Sequence, residues 1–232
     1  MCNLNNKTMK KITLILCLLV FGVSFTLKSQ EEMTDEQKIW YAIGVAEGQN
    51  FKNFGFEFSE QLLLEGIHDA MAGKEKYTQD ELQAIFQTLQ QKMEAKMLKD
   101  VEAEKERGQK FLAENRNKKG VIETESGLQY EVIKMGDGPK PSSTDVVKVH
   151  YHGTTIDGTV FDSSVDRGEP AQFPLNQVIK GWTEGVQLMP VGSKFKFYIP
   201  SNLAYGDRQM SAEIKGGATL IFEVELIEIV KE

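Results

Sequence analysis

Five aromatic side chains and one acid stand close enough in sequence to form a site: Tyr151, Phe161, Trp182, Tyr205 and Phe222, with Asp162 directly after Phe161. Taken singly, an aromatic residue is most simply a core residue. Taken together, within short strands and loops of one sheet region, they stand out as a set. The sequence has no G-x-S-x-G, no phosphate-binding G-x-x-x-x-G-K-[ST] and no C-x-x-C. The common hydrolase and metalloenzyme chemistries therefore lack their groups. His150 and His152 share a strand face without an evident third ligand, so they read as solvated strand residues. Glu223 and Glu225 read in the same way.

These residues need a sheet to position them. From residue 120 onward the hydrophobic period is two. Val147, Val149 and Tyr151 alternate with Lys148, His150 and His152, and Phe195, Phe197 and Ile199 with Lys194, Lys196 and Tyr198. Leu220, Phe222, Val224 and Leu226 continue the pattern. Leu128 to Ile133 is a further strand, Gly136-Asp137-Gly138-Pro139 a turn and Asp157-Gly158 a hairpin signal. Alternation of this kind predicts an antiparallel sheet with one covered face. Ile179, Trp182, Val186 and Met189 fall on one face of a short helix that would cover it. The expected class is α+β, an antiparallel sheet wrapped on one short helix, preceded by an all-α domain with a long connecting helix.

All six prolines follow residue 138, and residues 31–117 read as helical. Thr34-Asp35-Glu36-Gln37 and Thr78-Gln79-Asp80-Glu81 have the form of capping boxes. Between them a helix is predicted from Ser59 to Gly73, through Leu62, Leu63, Ile67 and Ala70. After Thr78, apolar residues recur from Leu82 to Val101 at steps of three and four. The resulting rod, some 38 residues long, would span about 57 Å. A rod of that length is expected to meet a partner chain or to stand free as an arm, with Gly108 as a weak point.

Five ordered segments carry a resemblance. They are Val149-His150-Tyr151-His152-Gly153, Gly158 to Ser164, Val178 to Gly185, Leu203-Ala204-Tyr205-Gly206-Asp207, and Ala218 to Leu226. In this order they closely resemble the signature segments of FKBP-type peptidyl-prolyl cis-trans isomerases, over about residues 125–232. The resemblance implies a cofactor-free isomerase acting on X–Pro bonds. Trp182 would be the floor under the proline ring, and Tyr151, Phe161, Val178, Ile179 and Phe222 the walls. Tyr205 would donate its hydroxyl to a substrate carbonyl, Asp162 would orient polar groups at the rim, and Ile214 would occupy an apolar lid position. Macrolide inhibitors are implied as further pocket ligands. Ala171 departs from the family's pocket aromatic, with Phe173 two residues on. The lid departs at Met210, Glu213 and Lys215-Gly216-Gly217.

Tyr41 to Asn50 and Gly66-Ile67-His68-Asp69-Ala70 are similar to the helical domain of the macrophage-infectivity-potentiator-like branch of that family. That likeness implies a homodimer held by the N-terminal helices. The expected domains are a signal peptide at 1–30, a helical dimerisation domain at 31–77, a connecting helix at 78–119 and the isomerase domain at 120–232. The signal reading rests on Lys10-Lys11 followed by the uncharged apolar run Ile12 to Leu27. Export to the periplasm is expected, with a retained membrane anchor as the alternative. Cys2 and Cys17, the only cysteines, both fall in this leader. The formal charge is −7, and about −11 without the leader, which disfavours nucleic acid as a partner. Clients would be proline-containing polypeptides folding outside the cytoplasm. A non-catalytic chaperone that grips chains with its helical arms is the alternative.

Overall fold

The structure is a computed structural model that describes residues 33–52, 54–55 and 57–230. The leader at 1–30 lies outside the described residues. Among those described, no helix is long and apolar enough to cross a membrane. The chain separates into two compact units, Met1–Asn53 and Phe54–Glu232.

The first unit contributes α1, Asp35–Phe51. Thr34 caps it through a full capping box: the Gln37 N–H donates to Thr34 Oγ1, and Gln37 Oε1 accepts from the Thr34 N–H at 2.8 Å. These bonds satisfy amides that a helix start leaves unpaired.

The second unit opens with α2, Glu60–Ala72, and α3, Gln79–Asn115. Gly73 ends α2 at φ 62°, a left-handed position that costs glycine nothing. Thr78 and Glu81 form the second capping box. The 37 residues of α3 span about 55 Å.

Seven strands follow: β1 Val121–Glu123, β2 Gln129–Lys134, β3 Val146–Thr155, β4 Val160–Ser163, β5 Ala171–Pro174, β6 Lys194–Ile199 and β7 Leu220–Val230. They form one antiparallel sheet in the order β1-β2-β6-β7-β3-β4, with β5 paired to β3. The concave face holds the core, including Leu128, Val149, Phe195, Phe197, Leu220 and Val224, each almost fully buried. Each such side chain contributes about 1.5–3 kcal/mol. The short helix α4, Lys180–Val186, lies on this face. Gly181 and Gly185 let it approach closely. A Cβ at Gly181 would stand 2.5 Å from Ile199 Cγ2, and one at Gly185 2.6 Å from Phe197 Cε1. Close packing on β6 offsets the roughly 1 kcal/mol that each glycine costs a helix.

Three expectations are corrected here. The long helix is neither free nor wholly given to a partner: Val101, Gly108, Leu112 and Asn115, in its C-terminal part, are buried against the sheet region of the same unit. The sheet therefore has a second covered region. The ring centres of Phe111 and Tyr198 are 5.9 Å apart. Gln129 Nε2 donates to the Leu112 carbonyl at 2.9 Å, and Asn115 Nδ2 donates to Gln129 Oε1 at 3.0 Å. Gly108 is not a weak point but a contact. A Cβ there would collide with Thr219 Oγ1 and stand 3.2 Å from Thr219 Cβ.

Candidate functional site

Register on β3 builds the site. Tyr151 faces the core, and Gly153 pairs with Phe222 on β7 and with Asp162 on β4. Phe161, the residue before Asp162, thereby lies over the same position from the other side. A Cβ at Gly153 would stand 2.7 Å from Phe161 Cε2 and 2.9 Å from Phe222 Cε1. The absence of a side chain there leaves room for both rings.

Trp182 is supplied by α4 and is 4% exposed. Three rings surround it: Phe222 at 5.3 Å, Tyr151 at 5.4 Å and Phe173 at 5.6 Å between centroids, each inclined by more than 80°. Phe161 meets Phe222 in the same edge-to-face manner at 5.4 Å. Aromatic pairs prefer this geometry because the positive edge of one ring meets the negative face of the other. The rings thus lock one another in place. Val178, Ile179 and Tyr205 are half-buried against the hydrophobic core that contains these rings, and Ile214 is buried in that core. Eight of the nine residues picked from sequence lie in or against this core, and the ninth, Asp162, joins through a hydrogen bond.

That bond comes from the Tyr151 hydroxyl. Arg167 donates to the other Asp162 oxygen, and its second terminal nitrogen donates to the Tyr151 hydroxyl at 2.8 Å. Its guanidinium carbon lies 5.6 Å from the centre of the Tyr151 ring. Burial pushes the Asp162 carboxyl up. The bonds from Tyr151 and Arg167, with the Arg167 charge, outweigh this and hold it below the usual carboxylate range. Asp162 is thus ionised at neutral pH, and each of its oxygens has a partner. Its direct work is to fix Tyr151 and Arg167.

Tyr205 follows β6 in a loop whose turn is closed by Gly206 N–H donating to the Ser201 carbonyl at 2.8 Å. Burial, then the Asp162 charge, raises its phenol above the ordinary value. It therefore keeps its proton at physiological pH and remains a donor.

Three residues that sequence reasoning did not assign to the site belong to it. Phe173 supplies the aromatic contact that Ala171 lacks, touching both Tyr151 and Trp182. Its place two residues after Ala171 was the available signal. Arg167 lies five residues after Asp162 in a turn, with no periodicity to mark it. Gly153 sat inside a recognised segment, but its role depends on rings from two other strands. His150 and His152 instead bond to serines, with Nδ1 3.2 Å from Ser164 Oγ and 3.0 Å from Ser163 Oγ respectively.

Comparison with known proteins agrees with this architecture. Residues 138–227 match the family model described as FKBP-type peptidyl-prolyl cis-trans isomerase, and residues 36–132 match the domain amino-terminal to it. The FKBP-type peptidyl-prolyl cis-trans isomerase FkpA of Aeromonas hydrophila is 50% identical over 212 residues, 87% of this chain and 79% of that protein. The outer membrane protein MIP of Legionella longbeachae is 43% identical, over 85% of this chain and 87% of that protein. The crystal structure of FkpA from Escherichia coli superimposes with a TM-score of 0.68 at 37% identity, covering 84% of this chain and 97% of that one. With N-terminal helices ahead of an antiparallel sheet wrapped on α4, this chain belongs to the FKBP-type peptidyl-prolyl cis-trans isomerases and is an enzyme of that activity.

Proposed function

We propose that the aromatic cluster binds the proline ring of an X–Pro segment over Trp182 and speeds rotation of the prolyl amide. The observation that carries this reading is the enclosure of Trp182 by three locked rings, with a protonated Tyr205 at the cluster. The barrier to rotation, about 18–20 kcal/mol, is amide resonance lost on twisting. The planar amide is the more polar form, so an apolar pocket raises it relative to the twisted one. A hydrogen bond from Tyr205 to a substrate carbonyl would hold the chain in register. A thousandfold acceleration requires about 4 kcal/mol of differential stabilisation. Neither a nucleophile nor a metal enters this mechanism.

The test is proline-limited isomerisation of a short peptide. Tyr205→Phe is expected to lower kcat/KM about tenfold, the worth of one hydrogen bond. Asp162→Ala is expected to lower it further, because Tyr151 and Arg167 both lose their anchor. Rates equal to wild type in both variants would sink the pocket reading.

The clients are proposed to be exported polypeptides, and the working form a homodimer. The MIP relative is named an outer membrane protein, and the leader sequence agrees with export. On α1, Ile39, Trp40 and Tyr41 are 58–72% exposed, and on α2 and α3 Leu62, Met71 and Phe86 are 63–83% exposed. Apolar exposure on this scale suits a covering partner, and a second copy carries the matching face. Sedimentation and intact mass of the secreted protein test both points. A chain starting near residue 30, at twice the monomer mass, is expected, with Trp40→Glu monomeric and equally active on the peptide. A wild-type monomer would refute the dimer and leave the exposed helices to the chaperone alternative.

A further inference from the structure

The loops that flank the pocket are both tied to one stretch of α3. Lys105 Nζ lies 2.7 Å from Asp207 Oδ1, two residues after Tyr205. At the other end of the lid, Gly216 and Gly217 rest on the same helix. A Cβ on Gly216 would stand 2.8 Å from Val101 Cγ2, and one on Gly217 2.6 Å from the Val101 carbonyl. Gly217 N–H donates to the Gly206 carbonyl at 2.8 Å, so the two stems of the lid are joined where the helix crosses them. Thr219, at the root of β7, sits against Gly108. On the opposite lip, Arg107 Nη1 reaches both Asp157 oxygens, at 2.7 and 2.8 Å. Asp157 lies at the tip of the hairpin whose second strand carries Phe161 and Asp162.

We propose that residues Val101 to Gly108 of α3 are a brace for the isomerase site, with Val101, Lys105, Arg107 and Gly108 as positioning residues; this rests on the pocket reading above. The helix holds the Tyr205 lid and the Phe161–Asp162 hairpin at a set separation. A proline ring over Trp182 directs the preceding residue toward the rim between those two loops. The brace therefore sets the room available to that residue, and with it the enzyme's preference among X–Pro sequences. It also makes the connecting helix part of the site. Each ion pair alone is partly exposed and weak. The effect comes from combining them with a glycine seat and a buried valine: Val101, Lys105 and Gly108 share one face of the helix, and Arg107 reaches out from its flank.

The experiment uses the full chain and two peptides that differ only in leucine or glutamate before proline. The readout is the ratio of their kcat/KM values. A loss of folded protein lowers both values equally and leaves the ratio unchanged, whereas a displaced lip alters it. In Gly108→Ala, and separately in Lys105→Met/Arg107→Met, the ratio is expected to change at least about threefold, within the reach of such contacts. Adding Thr219→Ala to Gly108→Ala removes the colliding hydroxyl and should return the ratio toward wild type. A ratio unchanged in both variants would overturn the brace. If Gly108→Ala does not fold, the double methionine variant decides alone. Tyr205→Phe run alongside separates the two claims. If it and Asp162→Ala both leave the rates at wild type, the pocket reading has failed; if it lowers the rates while the ratio stays constant in the other variants, the brace alone has failed.

Discussion

Trp182→Ala is expected to lower the stability of the protein by about 3–5 kcal/mol. The residue is 4% exposed and touches Tyr151, Phe173 and Phe222. Those rings come from three strands, so a cavity at this point cannot close without moving the sheet. Among the described residues, the buried indole Nε1 has no hydrogen-bond partner. Substitution therefore strands no polar group, and the loss is one of packing. Natural domains hold only about 5–15 kcal/mol in reserve. The check is urea unfolding, where the midpoint should fall while the slope stays constant. Trp182→Leu refills part of the volume and is expected to fold with a smaller loss. It still lacks the flat indole proposed as the floor, and its kcat/KM should fall by one to two orders of magnitude, about 1.4–2.7 kcal/mol. An alanine variant within 1 kcal/mol of wild type, taken as about the ordinary cost of a point substitution, would refute the account of the floor.

Gly153→Ala is expected to do the reverse, damaging the site more than the fold. Gly153 is in β3, and its φ lies outside the left-handed region, so alanine adopts its backbone freely. The conflict is steric. The new methyl would stand 2.7 and 2.8 Å from Phe161 and 2.9 Å from Phe222. Both rings must turn or shift, and they form two walls of the proposed pocket. Overpacking of this kind costs about 1–3 kcal/mol, and if it is expressed in binding of the prolyl ring, kcat/KM falls about 5- to 150-fold. Shortening one ring in the same chain, as Gly153→Ala/Phe161→Leu, should recover part of the folding stability but little of the rate. Activity of Gly153→Ala equal to wild type would mean that these rings do not line the working site.

The capping boxes at Thr34 and Thr78, and the αL stop at Gly73, were readable because each is settled within four residues of chain. The strands were readable because burial of one face imposes a period of two, as from Val147 to Tyr151 and from Leu220 to Leu226. The aromatic residues and Asp162 were readable through ordered local segments. The long helix was legible as a helix, but its surroundings were not. Lys105, Gly108 and Asn115 look like an ordinary charged and polar run until Asp207, Thr219 and Gln129 are brought against them from about 100, 110 and 14 residues away.

The same distinction holds at the pocket. The amino-acid sequence by itself determined the isomerase family and the antiparallel sheet with its short helix, since each depends on neighbours close in the chain. Only the tertiary structure decided that Arg167 ties Asp162 to Tyr151, that Phe173 stands in for Ala171, and that Gly153 keeps space for two rings. It alone decided that Lys105 and Arg107 of α3 reach Asp207 and Asp157. These depend on how side chains from separate strands and helices share one volume, which local periodicity does not encode.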